Sequence, residues 1–216
     1  AFNSAEYDEK IRQTLPYYDD FFENIFRTVR ACPNHPKALL DVGCRTGKTA
    51  ECVLKSFNVE RFVFCDNSEE MLNIARERFY AENTEFVLAD VRELAFRNEF
   101  DIVTAVQVNH YFKGAERTLA VQKCFEALKT GGMYICFENF APYSEFGQRL
   151  YLNRWKSFQL EQDRSPAACE EHIGRYNKEY FPITLSEQLQ IMRDCGFKAA
   201  EILWLSYMQA GFLGIK

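Results

Sequence analysis

Apolar side chains recur at steps of three and four early in the chain, at Ile11, Leu15, Tyr18, Phe22, Ile25 and Val29. That spacing gathers them on one helical face. Pro16 lacks a backbone donor and divides the pattern into two helical pieces. Cys32-Pro33-Asn34-His35-Pro36 concentrates chain-breaking residues and predicts a loop. Beyond it the period changes. Short apolar runs at 38–42, 61–65, 85–89, 100–106 and 133–137 read as strands, and helical spacing returns at 49–57, 68–80 and 115–128. The last of these helices is expected to end at Lys129-Thr130-Gly131-Gly132, with glycine at its C-terminus.

Strands alternating with helices predict βαβ units and an α/β, doubly wound, mostly parallel sheet. Residues 140–182 break the rhythm with polar and aromatic positions, among them Tyr151, Trp155 and Tyr176, and predict a helical cap inserted after the fifth strand. A helix over 185–195, stopped by Gly196, and strands near 198–206 and 210–215 follow. One core of ordinary size suits 216 residues. The expected organisation is a single domain: a helical segment (1–36), a core (37–139), the cap (140–182) and a closing helix and strand pair (183–216).

Composition narrows the function classes. The net charge of −5 and the scatter of Lys and Arg offer no basic track, so nucleic acid is an unlikely partner. The eight cysteines include no C-x-x-C pair and read as reduced, small hydrophobes rather than a disulfide framework or metal site. No apolar run of membrane-spanning length and no signal-peptide pattern is visible, and a soluble, cytoplasmic monomer or homodimer is expected.

The strongest chemical signal is Leu39-Leu40-Asp41-Val42-Gly43-Cys44-Arg45-Thr46-Gly47, which follows a buried strand and opens a helix. Gly43 lets the backbone turn sharply and approach a ligand, and Gly47 permits close helix–strand packing. The helix N-terminus offers free amides to a polar ligand. Asp66 ends the second strand, where a carboxylate accepts the hydroxyls of an adenosine ribose, and Asp90 ends the third, placed to meet adenine. Either acid could equally cap its following helix. Asp41 serves the loop or the ligand's amino group. A pyrophosphate-binding dinucleotide fold would want glycine at position 45, which is Arg45.

The segments Leu39–Gly47, Phe64–Leu72, Val87–Val91, Phe100–Phe112 and Ala127–Glu138 resemble, in order and spacing, the motifs of the class I S-adenosylmethionine-dependent methyltransferases. The resemblance implies a Rossmann-like seven-stranded sheet with its last strand antiparallel, and S-adenosylmethionine as cofactor. A narrower resemblance, to the carboxy-S-adenosyl-L-methionine synthases, rests on Tyr7-Asp8-Glu9-Lys10-Ile11, Pro16-Tyr17-Tyr18, Asp66-Asn67-Ser68, Glu116-Arg117 and the ending from Leu203-Trp204 to Lys216. It implies cofactor contacts by Tyr18, Gly43, Cys44, Arg45, Asp66, Asn67, Asp90 and Val91; Asp41, Gly47 and Gln107 complete the expected cofactor set. The synthases' cofactor-contacting Asn falls on Val106, and their carboxylate-binding Arg matches Arg175 only across a small gap.

Methyl transfer from a sulfonium needs an aligned acceptor, and a general base only where the acceptor must lose a proton. His110, just past the fourth strand, is the base candidate, with Tyr111 as wall or acid. Glu138 and Asn139 end the fifth strand, Glu138 as a further catalytic candidate and Asn139 as an acceptor contact. Arg175 with Tyr176 would clamp an acceptor's carboxylate or phosphate, and Trp155 would stack on a planar acceptor. Each has a plainer alternative in loop hydrogen bonding, surface ion pairing or core packing. The expected function is methyl transfer to a small molecule. The alternatives are a synthase-like enzyme acting on the cofactor's own methyl group and a non-catalytic binding module.

Overall fold

A computed structural model describes residues 4–32 and 35–216, with side chains from Asp8 onward. The sequence readings at Ala1, at the Tyr7 side chain and at Pro33-Asn34 lie outside the described residues. Two helices, α1 (Ser4–Thr14) and α2 (Tyr18–Ala31), meet at Pro16. The alternating core follows: β1 (Ala38–Val42), α3 (Lys48–Val53), β2 (Arg61–Asp66), α4 (Glu69–Phe79), β3 (Thr84–Leu88), β4 (Phe100–Val106), α5 (Gly114–Ala127) and β5 (Leu128–Asn139). Two helices fill the predicted interruption, α6 (Glu145–Glu161) and α7 (Pro166–Gly174), before α8 (Leu185–Asp194), β6 (Ala199–Ser206) and β7 (Gln209–Ile215).

The seven strands form one sheet in the order β3-β2-β1-β4-β5-β7-β6. β1 pairs parallel with β2 and β4, and β7 runs antiparallel to both of its neighbours. The strand order therefore reverses beside β1, and a crevice opens past the carboxyl ends of β1 and β4, where ligands bind in sheets of this kind. β1 is buried along its whole length. Leu40 and Val42 pack with Val121 and Cys124 of α5 on one face, and Leu39 packs with Phe22 and Ile25 of α2 on the other. Burial on both faces explains why β1 and β2 read as continuous apolar runs rather than alternating ones.

Local chemistry sets several boundaries. Ser68, Ser144 and Ser165 accept from backbone amides and start α4, α6 and α7, and Thr184 with Glu187 forms a reciprocal capping box on α8. The expected glycine stop of α5 is not what forms. The helix ends at Ala127, Leu128 already pairs with Phe100, and Gly131 and Gly132 lie in an irregular stretch where the register of β4 and β5 shifts. Gly131 takes a φ of 79° there, so its freedom serves a strand irregularity. Among the described residues no helix is long and apolar enough to cross a membrane.

Candidate active site

The turn after β1 is built around two left-handed residues. Gly43 has φ 63°, and a Cβ there would meet Val108 Cγ2 at 2.5 Å. Arg45 has φ 50° without being glycine. Two hydrogen bonds hold it: its N–H donates to Asp66 Oδ2 at 2.9 Å, and Nη2 donates to the carbonyl of Gln107 at 2.9 Å. Gln107 is itself left-handed, with φ 57°. The side chain at position 45 thus ties the turn after β1 to the turn after β4 and offsets the backbone strain, which costs about 1–3 kcal/mol. Gly47 faces the other way. A Cβ there would meet the rings of Phe79 and Phe64, so its place in the expected cofactor set is corrected to helix packing.

A cavity of about 370 Å³ opens beyond these strand ends. Gly43, Arg45, Asp66, Asn67, Asp90, Val91 and Gln107 are among the residues that line it. Asp66 is buried and accepts from Arg45 N–H and Ser68 N–H, one on each oxygen, at 2.9 Å. Each oxygen keeps a lone pair for a further donor. Asp90 accepts from the Arg92 amide and guanidinium, and that side-chain pairing holds its carboxyl below the usual range despite partial burial. Asp90 caps the short helical turn Val91–Glu93, whereas Ser68 rather than Asp66 caps α4; both acids face the cavity.

Asp41 lies behind this wall, with Tyr18 and Cys44, along a narrow crevice. Its Oδ1 accepts from Thr104 Oγ1 at 2.6 Å, while Oδ2 is buried without a hydrogen-bond partner. Burial pushes its carboxyl up to about 7; Asp66 adds to the shift, and the Thr104 hydrogen bond opposes it. Cys44 donates its N–H to Cys65 O at 3.0 Å, and burial raises its thiol well above the ordinary value.

A second cavity, of about 380 Å³, adjoins the first. Arg45, Gln107 and Tyr111 line both, and the two chambers meet at these residues. His110, Asn139 and Arg175 face the second chamber. His110 Nδ1 lies 2.7 Å from Glu138 Oε2, and both residues are buried. Glu138 also accepts the amides of Asn109 at 3.0 Å and His110 at 3.1 Å. Those bonds assign the Nδ1 proton to the Glu138 contact and leave Nε2 with the free lone pair. Burial lowers the His110 pKa from its ordinary value, and the Glu138 hydrogen bond and charge partly restore it.

Three sequence assignments need correction. Glu138 lines neither of these two chambers; its oxygens are spent on His110 and the backbone, and it positions the ring rather than touching a ligand. Trp155 is fully buried and donates Nε1–H to Thr14 O at 2.7 Å, so it anchors α6 to the end of α1 and presents no stacking face. Tyr176 packs edge-on against Tyr180 and lines neither chamber. Sequence reasoning missed Lys10, Thr14, Arg164 and His172, which line the second chamber. No local motif marks them, because α1 and α7 meet only in the folded chain. Among the described residues no cluster of His, Cys, Asp or Glu suits a metal ion.

The sheet order and the cleft at its reversal define a Rossmann-like α/β protein with a cavity at the carboxyl ends of its strands. A profile described as a methyltransferase domain matches residues 39–132. The carboxy-S-adenosyl-L-methionine synthase of Helicobacter hepaticus is 23% identical over 213 residues, covering 94% of this chain and 89% of that protein. The malonyl-[acyl-carrier protein] O-methyltransferase of Priestia megaterium is 23% identical over 171 residues, covering 73% and 61%. The putative methyltransferase solved in complex with the Haloferax volcanii Trm112 activator superposes with a TM-score of 0.68 at 14% identity, covering 98% and 94%. Over its core the chain is similar to S-adenosylmethionine-dependent methyltransferases, whose cofactor is S-adenosylmethionine. The cleft residues fit that cofactor: the Asp66 oxygens retain acceptor capacity for two hydroxyls, and Gly43 lines the cleft where a Cβ would collide with Val108.

Proposed function

We propose that the protein transfers the methyl group of S-adenosylmethionine to a small molecule held in the second chamber, with His110 as general base. When bound, the cofactor supplies a sulfonium-activated methyl carbon. Asp66 and Asp90 bind the nucleoside end, and the turn at Gly43 lets the backbone approach it. Arg45, Gln107 and Tyr111 line both chambers, so a donor in one and an acceptor in the other would meet directly at their junction. His110 Nε2 accepts a proton from the acceptor, and Glu138 keeps the ring in the tautomer that makes this possible and stabilises the imidazolium that forms. The observation that carries this reading is His110 on the wall of a chamber adjoining the cofactor cleft, with Glu138 behind it at 2.7 Å. The experiment is calorimetry with S-adenosylhomocysteine, followed by methyl-label transfer to a panel of small hydroxyl and amine acceptors. Failure of S-adenosylhomocysteine to bind the folded protein would remove the reading.

A second reading is a synthase-like reaction on the cofactor's own methyl group. Its support is the carboxy-S-adenosyl-L-methionine synthase relatives, which align over nearly the whole of both chains. Incubation with labelled S-adenosylmethionine and prephenate distinguishes the two: a carboxylated cofactor in the mass spectrum favours the second.

A further inference from the structure

The charges of the second chamber run against those of the molecule. The chain carries a net −5, yet the chamber is lined by Lys10, Arg45, Arg164 and Arg175 against one carboxylate, the exposed Glu171. Arg175 is engaged by Glu179 at 2.6 Å, and Arg45 is tied to Gln107 O. Arg164 differs. It is partly buried; its guanidinium donates to the Thr14 hydroxyl and to Ala168 O, its Nε is buried without a partner, and among the described residues no carboxylate pairs with it. A partly buried guanidinium beside neutral oxygens alone is a charge without a protein counter-ion.

His172 extends the same surface. Its Nδ1 lies 3.1 Å from Gln159 Nε2, so Nδ1 accepts and the ring's proton sits on Nε2. Burial, with Arg164 and Arg175 adding to it, lowers its pKa to about 3, and the ring stays a neutral donor throughout the physiological range. Trp155 and Tyr180 pack against the ring and fix it. Lys10, on α1, forms no ion pair among the described residues and stands at the rim. This end of the chamber thus offers N–H donors and positive charge, with its one carboxylate exposed.

Resting on the methyl-transfer reading, we infer that the acceptor is an anion: a small molecule whose carboxylate or phosphate is held by Arg164, His172 and Lys10 while its nucleophilic oxygen or nitrogen faces His110. The fixed guanidinium and the neutral imidazole supply charge and direction, and α1 contributes the ammonium at the mouth. Arg175, already paired, is an outer contributor.

The test uses 3,4-dihydroxybenzoate, its uncharged amide and inorganic phosphate, titrated calorimetrically into the full chain with and without saturating S-adenosylhomocysteine. The acid is expected to bind at least roughly tenfold tighter than the amide, as a charge-assisted contact gives. That preference should hold from about pH 6 to 9, because no His172 protonation intervenes. In Arg164→Gln it should fall below about threefold, with S-adenosylhomocysteine affinity unchanged. Phosphate competing with the acid but not with the amide identifies the oxyanion pocket as the shared determinant; an acid preference without phosphate competition restricts it to carboxylates. Equal affinity for acid and amide in the wild-type chain overturns the inference and needs no variant to fold. Loss of S-adenosylhomocysteine binding with the acid preference intact would instead refute the cofactor-dependent function and leave the anion site standing.

Discussion

Replacing Asp41 by Asn isolates the energetic cost of a buried carboxyl. Asp41 is fully enclosed, accepts one short hydrogen bond from Thr104 and leaves Oδ2 unpartnered. Its pKa moves from 3.8 to about 7, chiefly through burial. For an acid the sign is a penalty on the folded state. Below about pH 4 the group is protonated whether the chain is folded or not, and no penalty exists. As pH rises towards 7 the unfolded chain ionises freely while the folded one keeps its proton, and stability falls; above 7 the loss is complete. At ~1.4 kcal/mol per unit, the shift corresponds to about 4 kcal/mol when fully developed. Roughly half of that accrues between about pH 5.5 and 8.5 by the same linkage. Asp41→Asn keeps an acceptor for Thr104 and does not titrate. Its thermal midpoint, relative to wild type, should therefore rise by about 4–8 °C between those two pH values, using the ~2–4 °C per kcal/mol of chains this size. Groups that titrate alike in both proteins cancel in the difference. Midpoint curves that run parallel across the range would show that Asp41 is an ordinary acid and that the cost assigned to its burial is wrong.

His110→Ala should lower kcat for a hydroxyl acceptor by roughly a hundred- to ten-thousand-fold while S-adenosylhomocysteine affinity stays within about twofold. In the wild-type enzyme kcat/KM should lose activity only below the ordinary imidazole value, because burial lowers the His110 pKa and the base must be neutral to act. Asp66→Asn should weaken S-adenosylhomocysteine binding by roughly ten- to a hundredfold in calorimetry, through loss of charge-assisted bonds at the strand end. Trp155→Ala should destabilise the chain by about 3–5 kcal/mol in urea titrations, and Trp155→Phe by about 1–3 kcal/mol, since Phe keeps most of the buried ring but strands Thr14 O.

Much of the sheet was legible because its cues are local. Runs such as Ala38–Val42 and Arg61–Asp66, with turn residues on both sides, carry strand length and burial in themselves. The fold class and the cofactor followed from motif order, and the comparisons bear both out. The cleft was legible to the same extent: Gly43, Asp66 and Asp90 sit at strand ends, and strand ends are where a parallel sheet gathers distant residues. Gly131 and Gly132 misled, since glycine after a helical pattern marks a stop equally well when the chain enters a bulged strand. Trp155 misled because a large ring is as much core as platform, and only the Thr14 carbonyl across the fold decides between them. The second chamber was the least readable part. Its wall joins residues of α1 to residues of α7, and contacts spanning more than a hundred positions leave no spacing to detect.

The junction of the two chambers at Arg45, Gln107 and Tyr111 has a consequence for how such proteins diversify. On the proposed reading, the residues placed to meet the nucleoside, Gly43, Asp66 and Asp90, end or follow strands of the sheet, whereas Lys10, Thr14 and His172 of the second chamber sit on helices outside it. On that reading, drift in α1 and α7 would rewrite which molecule enters without disturbing the strand ends that hold the donor. A lineage can therefore change its chemistry by exchanging its outer helices, keeping the same engine underneath.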